Sequence, residues 1–150
     1  MGKLQEKVLQ ADRRDHVVND CVQLLDDEVA AQSGLKGLTV KGAYKVVQSL
    51  SPGFVRSVVD GLLDDFVARL EPYYEAYEKN PEGSRSFGTY VAKKSDSVAD
   101  SLLGVTDERA HRTKHTTVKK LYEKLRPNAK TQVAASVPKL GQLVDKHLAA

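Results

Sequence analysis

The stretch VRSVVDGLLDDFVARL, residues 55–70, decides the fold class. Its apolar side chains recur three and four residues apart, which places them along one face of an α-helix. They are Val55, Val58, Val59, Leu62, Leu63, Phe66, Val67 and Leu70. A stripe this wide predicts a helix buried between neighbouring helices.

The same spacing continues on both sides of this stretch. Val18, Val22 and Val29 repeat it before the stretch, and Leu140 and Val144 repeat it near the end of the chain. No segment alternates apolar and polar residues for long enough to indicate a β-strand. We therefore predict an all-α protein, a single compact multi-helix bundle of roughly six to eight helices that forms one domain over residues 1–150.

Prolines and glycines supply the expected helix ends. Pro72 should end or kink the central helix because proline has no amide proton and crowds the preceding turn. Gly104 is expected to close a later helix, and Thr106 to cap the next one. Pro127 and Pro138 are expected to divide the remaining sequence into short helices.

Composition indicates an ordinary soluble protein, with 41% hydrophobic and 29% charged residues. No run of about 18 apolar residues is present, and the N-terminus lacks the apolar core of a signal peptide, so we expect no membrane partner. The single cysteine, Cys21, falls on an apolar helix face, where a thiol usually serves as inert packing. A chain that cannot form an internal disulfide fits a reducing compartment, and we expect a cytoplasmic protein.

Positive charge is concentrated in the second half of the chain. Residues 81–150 carry 13 Lys and Arg against 7 Asp and Glu, whereas residues 1–80 carry 10 against 13. A basic segment over residues 109–130 could bind an anion or the phosphates of a nucleic acid, although it lacks the interleaved aromatic residues of many such sites. The candidate anion-binding residues are Arg109, Arg112, Lys114, Lys119, Lys120 and Lys124.

Glu108, His111 and His115 form the only histidine-rich pattern. On a continuous helix this spacing would place a carboxylate and two imidazoles in one arc, as in helical metal sites. A solvated basic face is the alternative, and cationic neighbours such as Arg112 oppose metal binding. We expect no cofactor and treat this trio as the weakest of the candidate sites.

Three tyrosines follow Pro72, namely Tyr73, Tyr74 and Tyr77. Tyrosine suits both a buried core and an exposed patch that contacts a partner, because its ring is apolar and its hydroxyl is polar. The sequence leaves these two interpretations equally open.

Several segments together resemble a family of small uncharacterised bacterial proteins, chiefly actinobacterial. They are SGLKG at 33–37 with Gly42, Tyr44-Lys45 and Pro52-Gly53, then LLDDFV at 62–67 and VKKLYEKLR at 118–126. The resemblance spans nearly the whole chain. It implies a compact helical bacterial protein, and it implies no activity, cofactor or binding residue.

These observations favour a non-catalytic protein-interaction or structural module over an enzyme. A protein partner or self-association is the expected mode of action, because helical packing surface is abundant and no catalytic constellation stands out. Anion or nucleic-acid binding through residues 109–130 is the alternative, and metal binding by Glu108, His111 and His115 is the second alternative.

Overall fold

The computed structural model describes residues 2–150, so Met1 of the predicted domain lies outside the described residues. Residues 2–150 form seven helices and no strand, which confirms the all-α fold and the predicted number of helices. The helices are α1 (Lys3–Val8), α2 (Arg14–Ala30), α3 (Gly34–Ser49), α4 (Phe54–Lys79), α5 (Phe87–Ala92), α6 (Ser95–Arg112) and α7 (Thr116–Ala149).

Helix α4 carries the stripe that opened the sequence analysis, and much of that stripe is buried as predicted. Leu62, Leu63, Val67 and Leu70 are all less than a tenth exposed. The same core receives Val18 from α2 and side chains from α1, α5, α6 and α7. The apolar periodicity of the sequence therefore locates the core correctly.

The two longest helices, α4 and α7, are held together through the shorter ones. Each packs against α1, α2, α3, α5 and α6, yet within residues 2–150 they make no extensive contact with each other. The space between them is therefore only partly filled by side chains from the other helices.

The prolines do not end helices, contrary to the sequence-based expectation. Pro72 lies inside α4, and Pro127 and Pro138 lie inside α7, which continues to Ala149. All three prolines are exposed. Because the carbonyl four residues before each proline can be solvated at such a position, one lost hydrogen bond costs less than the packing of a continuous helix contributes.

The predicted break at Gly104 and Thr106 is also wrong. Both residues lie within α6, where the Thr106 hydroxyl donates to the carbonyl of Leu103 at 3.1 Å. The same hydroxyl lies 2.7 Å from that of Tyr122 in α7. Thr106 therefore connects two helices instead of capping one.

Helices α5 and α7 cross at two glycines. A methyl group built on Gly141 would lie 2.7 Å from the Cα of Gly88, closer than real side chains come to backbone. The amide of Gly88 also donates to Asp145 Oδ1 at 2.9 Å. Neither glycine can be enlarged without separating the two helices.

None of the helices within residues 2–150 combines the length and the apolar character that crossing a membrane requires.

We predict that Gly141→Ala lowers the free energy of unfolding by about 1–3 kcal/mol, because its methyl group would overlap the Gly88 backbone. Gly104→Ala is the matched control. Its methyl group would first meet the Arg69 guanidinium at 3.6 Å, so helix propensity should dominate and raise stability by about 0.5–1 kcal/mol. Urea unfolding followed by circular dichroism measures both, and equal effects of the two variants would contradict the close crossing.

Candidate functional site

An apolar cavity of about 370 Å³ lies between α2, α4 and α7. Most of its lining is aliphatic or aromatic. These residues are Val8, Val17, Cys21, Leu24, Leu25, Val29, Val40, Val59, Leu63, Phe66, Val67, Leu70, Leu102, Val133, Leu140, Leu143 and Val144. Leu25 is 37% exposed and marks a place where the cavity reaches the surface. The volume lies within the range of small-molecule binding pockets, about 300–1,000 Å³.

The stripes of α2 and α7 form two long walls of this cavity. Lining residues run from Val17 to Gln32 beside α2 and from Gln132 to His147 on α7. Each wall spans 15 residue steps, or about 22 Å at the rise of an α-helix. The predicted stripes are thus correct in position, but part of their surface faces a hollow where the sequence predicted direct packing between helices.

Polar lining groups are few and lie mainly toward the ends of these walls. At one end the Gln132 amide donates to Gln32 Oε1 at 3.5 Å, and Glu28 Oε1 lies 3.0 Å from Lys139 Nζ. At the other end is His147, which is only 4% exposed. A long apolar wall with separated polar ends suits an elongated ligand more than a compact polar one.

His147 is held by a carboxylate on α2. Its Nε2 lies 2.7 Å from Asp20 Oδ2, and the neighbouring Lys146 donates to the same oxygen at 3.0 Å. Burial opposes ionisation of Asp20, but hydrogen bonds from Lys146 and His147 outweigh it and hold the pKa of that carboxyl below its usual value. The last turns of α7 are thereby fastened to α2.

Cys21 lines the cavity next to Asp20 in the sequence. Burial, with a smaller effect from the Asp20 charge, raises the pKa of the Cys21 thiol to about 11. The thiol therefore stays protonated at neutral pH and is a weak nucleophile. This agrees with the packing role that the sequence indicated.

The predicted metal trio does not form one arc. Helix α6 ends at Arg112, so Glu108 and His111 lie in α6 while His115 lies in the linker before α7, with its ring 6.0 Å from that of Phe54. Within residues 2–150, no group of three or more His, Cys, Asp or Glu side chains is arranged to hold a metal ion.

The predicted basic segment is divided between internal contacts and solvent. Arg109 donates to the carbonyl of Gly61 at 3.0 Å, and its side chain remains exposed. The remaining candidates form no ion pair with residues 2–150 and are exposed or partly exposed. They are Arg112 at the end of α6, Lys114 in the linker, and Lys119, Lys120 and Lys124 on α7.

All three tyrosines contact the core, and Tyr73 and Tyr77 remain partly exposed. Tyr74 is buried, with its ring 5.2 Å from that of Phe87 in an edge-on arrangement. Tyr77 lies 5.5 Å from Tyr90, and Tyr73 also contacts the core cluster.

Sequence reasoning missed Asp20 and His147 as a pair. One signal was present, because His147 shares its helix face with Leu140 and Val144, so an imidazole interrupts an apolar stripe. The partner could not be found in this way, because Asp20 is 127 residues away in the sequence.

We predict that Asp20→Asn lowers the free energy of unfolding at neutral pH by about 1–2 kcal/mol, because two charge-assisted hydrogen bonds are weakened. The folded-state pKa of Asp20 lies below its usual value of 3.8, so the contribution of Asp20 is fully present above pH 3.8 and is lost as pH falls through the folded-state pKa. The difference between wild type and variant should therefore shrink in acid. Asp65→Asn, at an exposed position, is the control, and a pH-independent difference for Asp20→Asn would contradict the assignment.

No curated protein and no solved structure matches this chain. A family model described as a family of unknown function matches residues 4–148, nearly the whole chain. The chain therefore belongs to DUF6918, a family of unknown function.

Proposed function

We propose that the protein is a non-catalytic binding protein whose ligand is a small molecule with a long hydrocarbon chain, held in the cavity between α2, α4 and α7. The observation that carries the proposal is the cavity itself, about 370 Å³ with a predominantly apolar lining. A small set of polar groups at its ends would orient the ligand, as in other pockets that bind apolar molecules.

The uncovered apolar surface of the cavity supports this proposal. The cavity opens to the surface beside Leu25, so its aliphatic walls face space that no side chain of the described residues fills. An apolar ligand would bury this surface and add contacts along Leu24, Leu63, Phe66 and Leu140.

The chemistry of the lining fits binding more than catalysis. Cys21 is a protonated thiol, and the hydroxyl of Ser136 donates to the carbonyl of Gln132 within α7. Neither side chain is prepared to attack a substrate, because nucleophilic catalysis requires a base beside the nucleophile or a lowered pKa.

We expect Val29→Trp to weaken binding of methyl dodecanoate by roughly tenfold or more, because the indole would occupy space that the chain needs. Val58→Trp is the matched control, because Val58 lies 39% exposed on α4 and does not line the cavity. Calorimetry measures both affinities, and circular dichroism of the ligand-free variants during thermal unfolding checks that both fold.

Protection of the single cysteine locates the ligand. Bound methyl dodecanoate should slow modification of Cys21 by a small thiol reagent in wild type and in Val58→Trp, measured at an alkaline pH at which part of the thiol is ionised. Absence of binding to wild type, or binding that leaves Cys21 equally reactive, would overturn the cavity as the site.

A second candidate function is self-association through α3, which keeps the predicted protein partner. The outward face of α3 is apolar although nothing in residues 2–150 covers it: Leu35 is 85% exposed and Leu38 is 67% exposed. Between Leu38 and Val46 lies Gly42, and a methyl group there would meet no atom within 4 Å. Residues 38, 42 and 46 form a ridge of the i, i+4 type, along which helices commonly pack.

The occupant that we propose for this face is α3 of a second copy of the chain. In a two-fold pair the same ridge would meet itself, with Gly42 allowing close approach at the crossing. Lys36, Lys41 and Lys45 flank the ridge, and α3 contains no acidic residue. The like charges would weaken the pair at low salt, so salt should strengthen it.

We predict a dimer that becomes tighter as salt concentration rises and that Leu38→Glu abolishes. Gln48→Glu is the control, because it adds the same charge to an exposed position of the same helix. Light scattering measures the mass at high protein concentration. A monomer at every salt concentration would exclude this candidate.

Binding of an anion or a nucleic acid by Arg109, Arg112, Lys114, Lys119, Lys120 and Lys124 stays a prediction from the sequence.

A further inference from the structure

His147 is a polar group inside an otherwise apolar part of the cavity. Its side chain is 4% exposed and lines the cavity together with Val144 and Cys21. Its Nδ1 atom is buried and has no hydrogen-bond partner within residues 2–150. Because buried polar atoms are rarely left unsatisfied, Nδ1 calls for a polar partner, which would have to reach it from the cavity that His147 lines.

The hydrogen bond of Nε2 to Asp20 determines which kind of polar group Nδ1 can bind. Asp20 Oδ2 accepts hydrogen bonds from both Lys146 Nζ and His147 Nε2, and an ionised carboxylate can only accept. The proton of a neutral His147 therefore lies on Nε2. Nδ1 then presents a lone pair, or a second N–H when the ring is protonated.

We propose that His147 binds the head group of a long-chain carboxylic acid whose hydrocarbon chain follows the cavity toward Gln32 and Gln132. This inference rests on the proposed function and names the class of ligand. A carboxylic acid can donate its proton to Nδ1, and a carboxylate can accept the proton of the imidazolium, so the same contact holds in both protonation states. Asp20 stabilises the imidazolium in the second state.

Other head groups fit this end of the cavity less well. A phosphate needs several donors, and an ammonium group needs acceptors that would compensate its buried charge. At this end the lining offers one imidazole among aliphatic side chains, Val17, Leu143 and Val144. A hydroxyl could donate to Nδ1, but as a weaker acid it would form a weaker bond than a carboxyl group.

A series of probes with one chain and different head groups tests the proposal. Wild type should bind dodecanoic acid roughly tenfold or more tightly than methyl dodecanoate, with dodecan-1-ol between them. His147→Phe should remove this preference while keeping the affinity for the ester. His16→Phe is the matched control, because His16 is exposed on α2 and should leave the preference unchanged.

Nitrogen NMR of the histidine rings gives a second readout. It is measured on the wild-type protein and does not depend on the stability of a variant. In the free protein the neutral His147 ring should carry its proton on Nε2, and only dodecanoic acid or dodecan-1-ol should shift the Nδ1 signal of His147. Equal affinities for all three probes, or an unchanged Nδ1 signal at saturation with the acid, would overturn the head-group site and leave the proposed function standing. Failure of every probe to bind would overturn both.

Discussion

The structure depends on the way in which two long helices are kept apart. Helices α4 and α7 each contact the same five shorter helices, and no extensive contact joins them within residues 2–150. Their buried apolar side chains, such as Leu63 on α4 and Val137 on α7, pack in one core with side chains of the shorter helices, which stabilises the fold. The remaining apolar area faces the cavity, so one arrangement produces both the core and the candidate site.

The position of α7 is fixed by a close contact between glycines and by hydrogen bonds to a carboxylate, as well as by packing in the core. Gly88 and Gly141 bring α5 onto the backbone of α7, and Asp20 fastens α2 to the far end of α7. These contacts fix where α7 runs. The side chains between α2 and α7 are mostly valine and leucine, which are too short to fill the gap between the two helices. The position of α7 therefore determines the volume of the cavity.

The spacing of apolar residues made the all-α fold predictable, but the rules for proline and glycine predicted several helix ends that the structure does not have. The stripe at 55–70 identified α4, which spans Phe54–Lys79. The prediction of helix ends at Pro127 and Pro138 was wrong because the effect of a proline depends on whether the carbonyl four residues before it is solvated. That property belongs to the packed structure and is invisible in the local sequence.

The candidate site was predictable only in its parts. The sequence identified the apolar residues of α2, α4 and α7, but it could not distinguish a stripe that packs tightly from one that borders a hollow. That distinction depends on the distance between helices, which distant contacts such as Lys146–Asp20 determine. The basic segment near Arg109 can be recognised from neighbouring residues in the sequence, whereas the pairing of Asp20 with His147 joins residues that are 127 positions apart.

The order in which the chain is synthesised gives one of these features a further consequence. The wall from Gln132 to His147 is synthesised after α2 and α4, so Asp20 emerges 127 residues before its partner. Before α7 docks, the apolar side chains of α2 and α4 that line the cavity lack their opposite wall. Because closing so long a loop costs conformational entropy, we expect the docking of α7, and with it the formation of the cavity, to follow the pairing of segments that are closer in sequence.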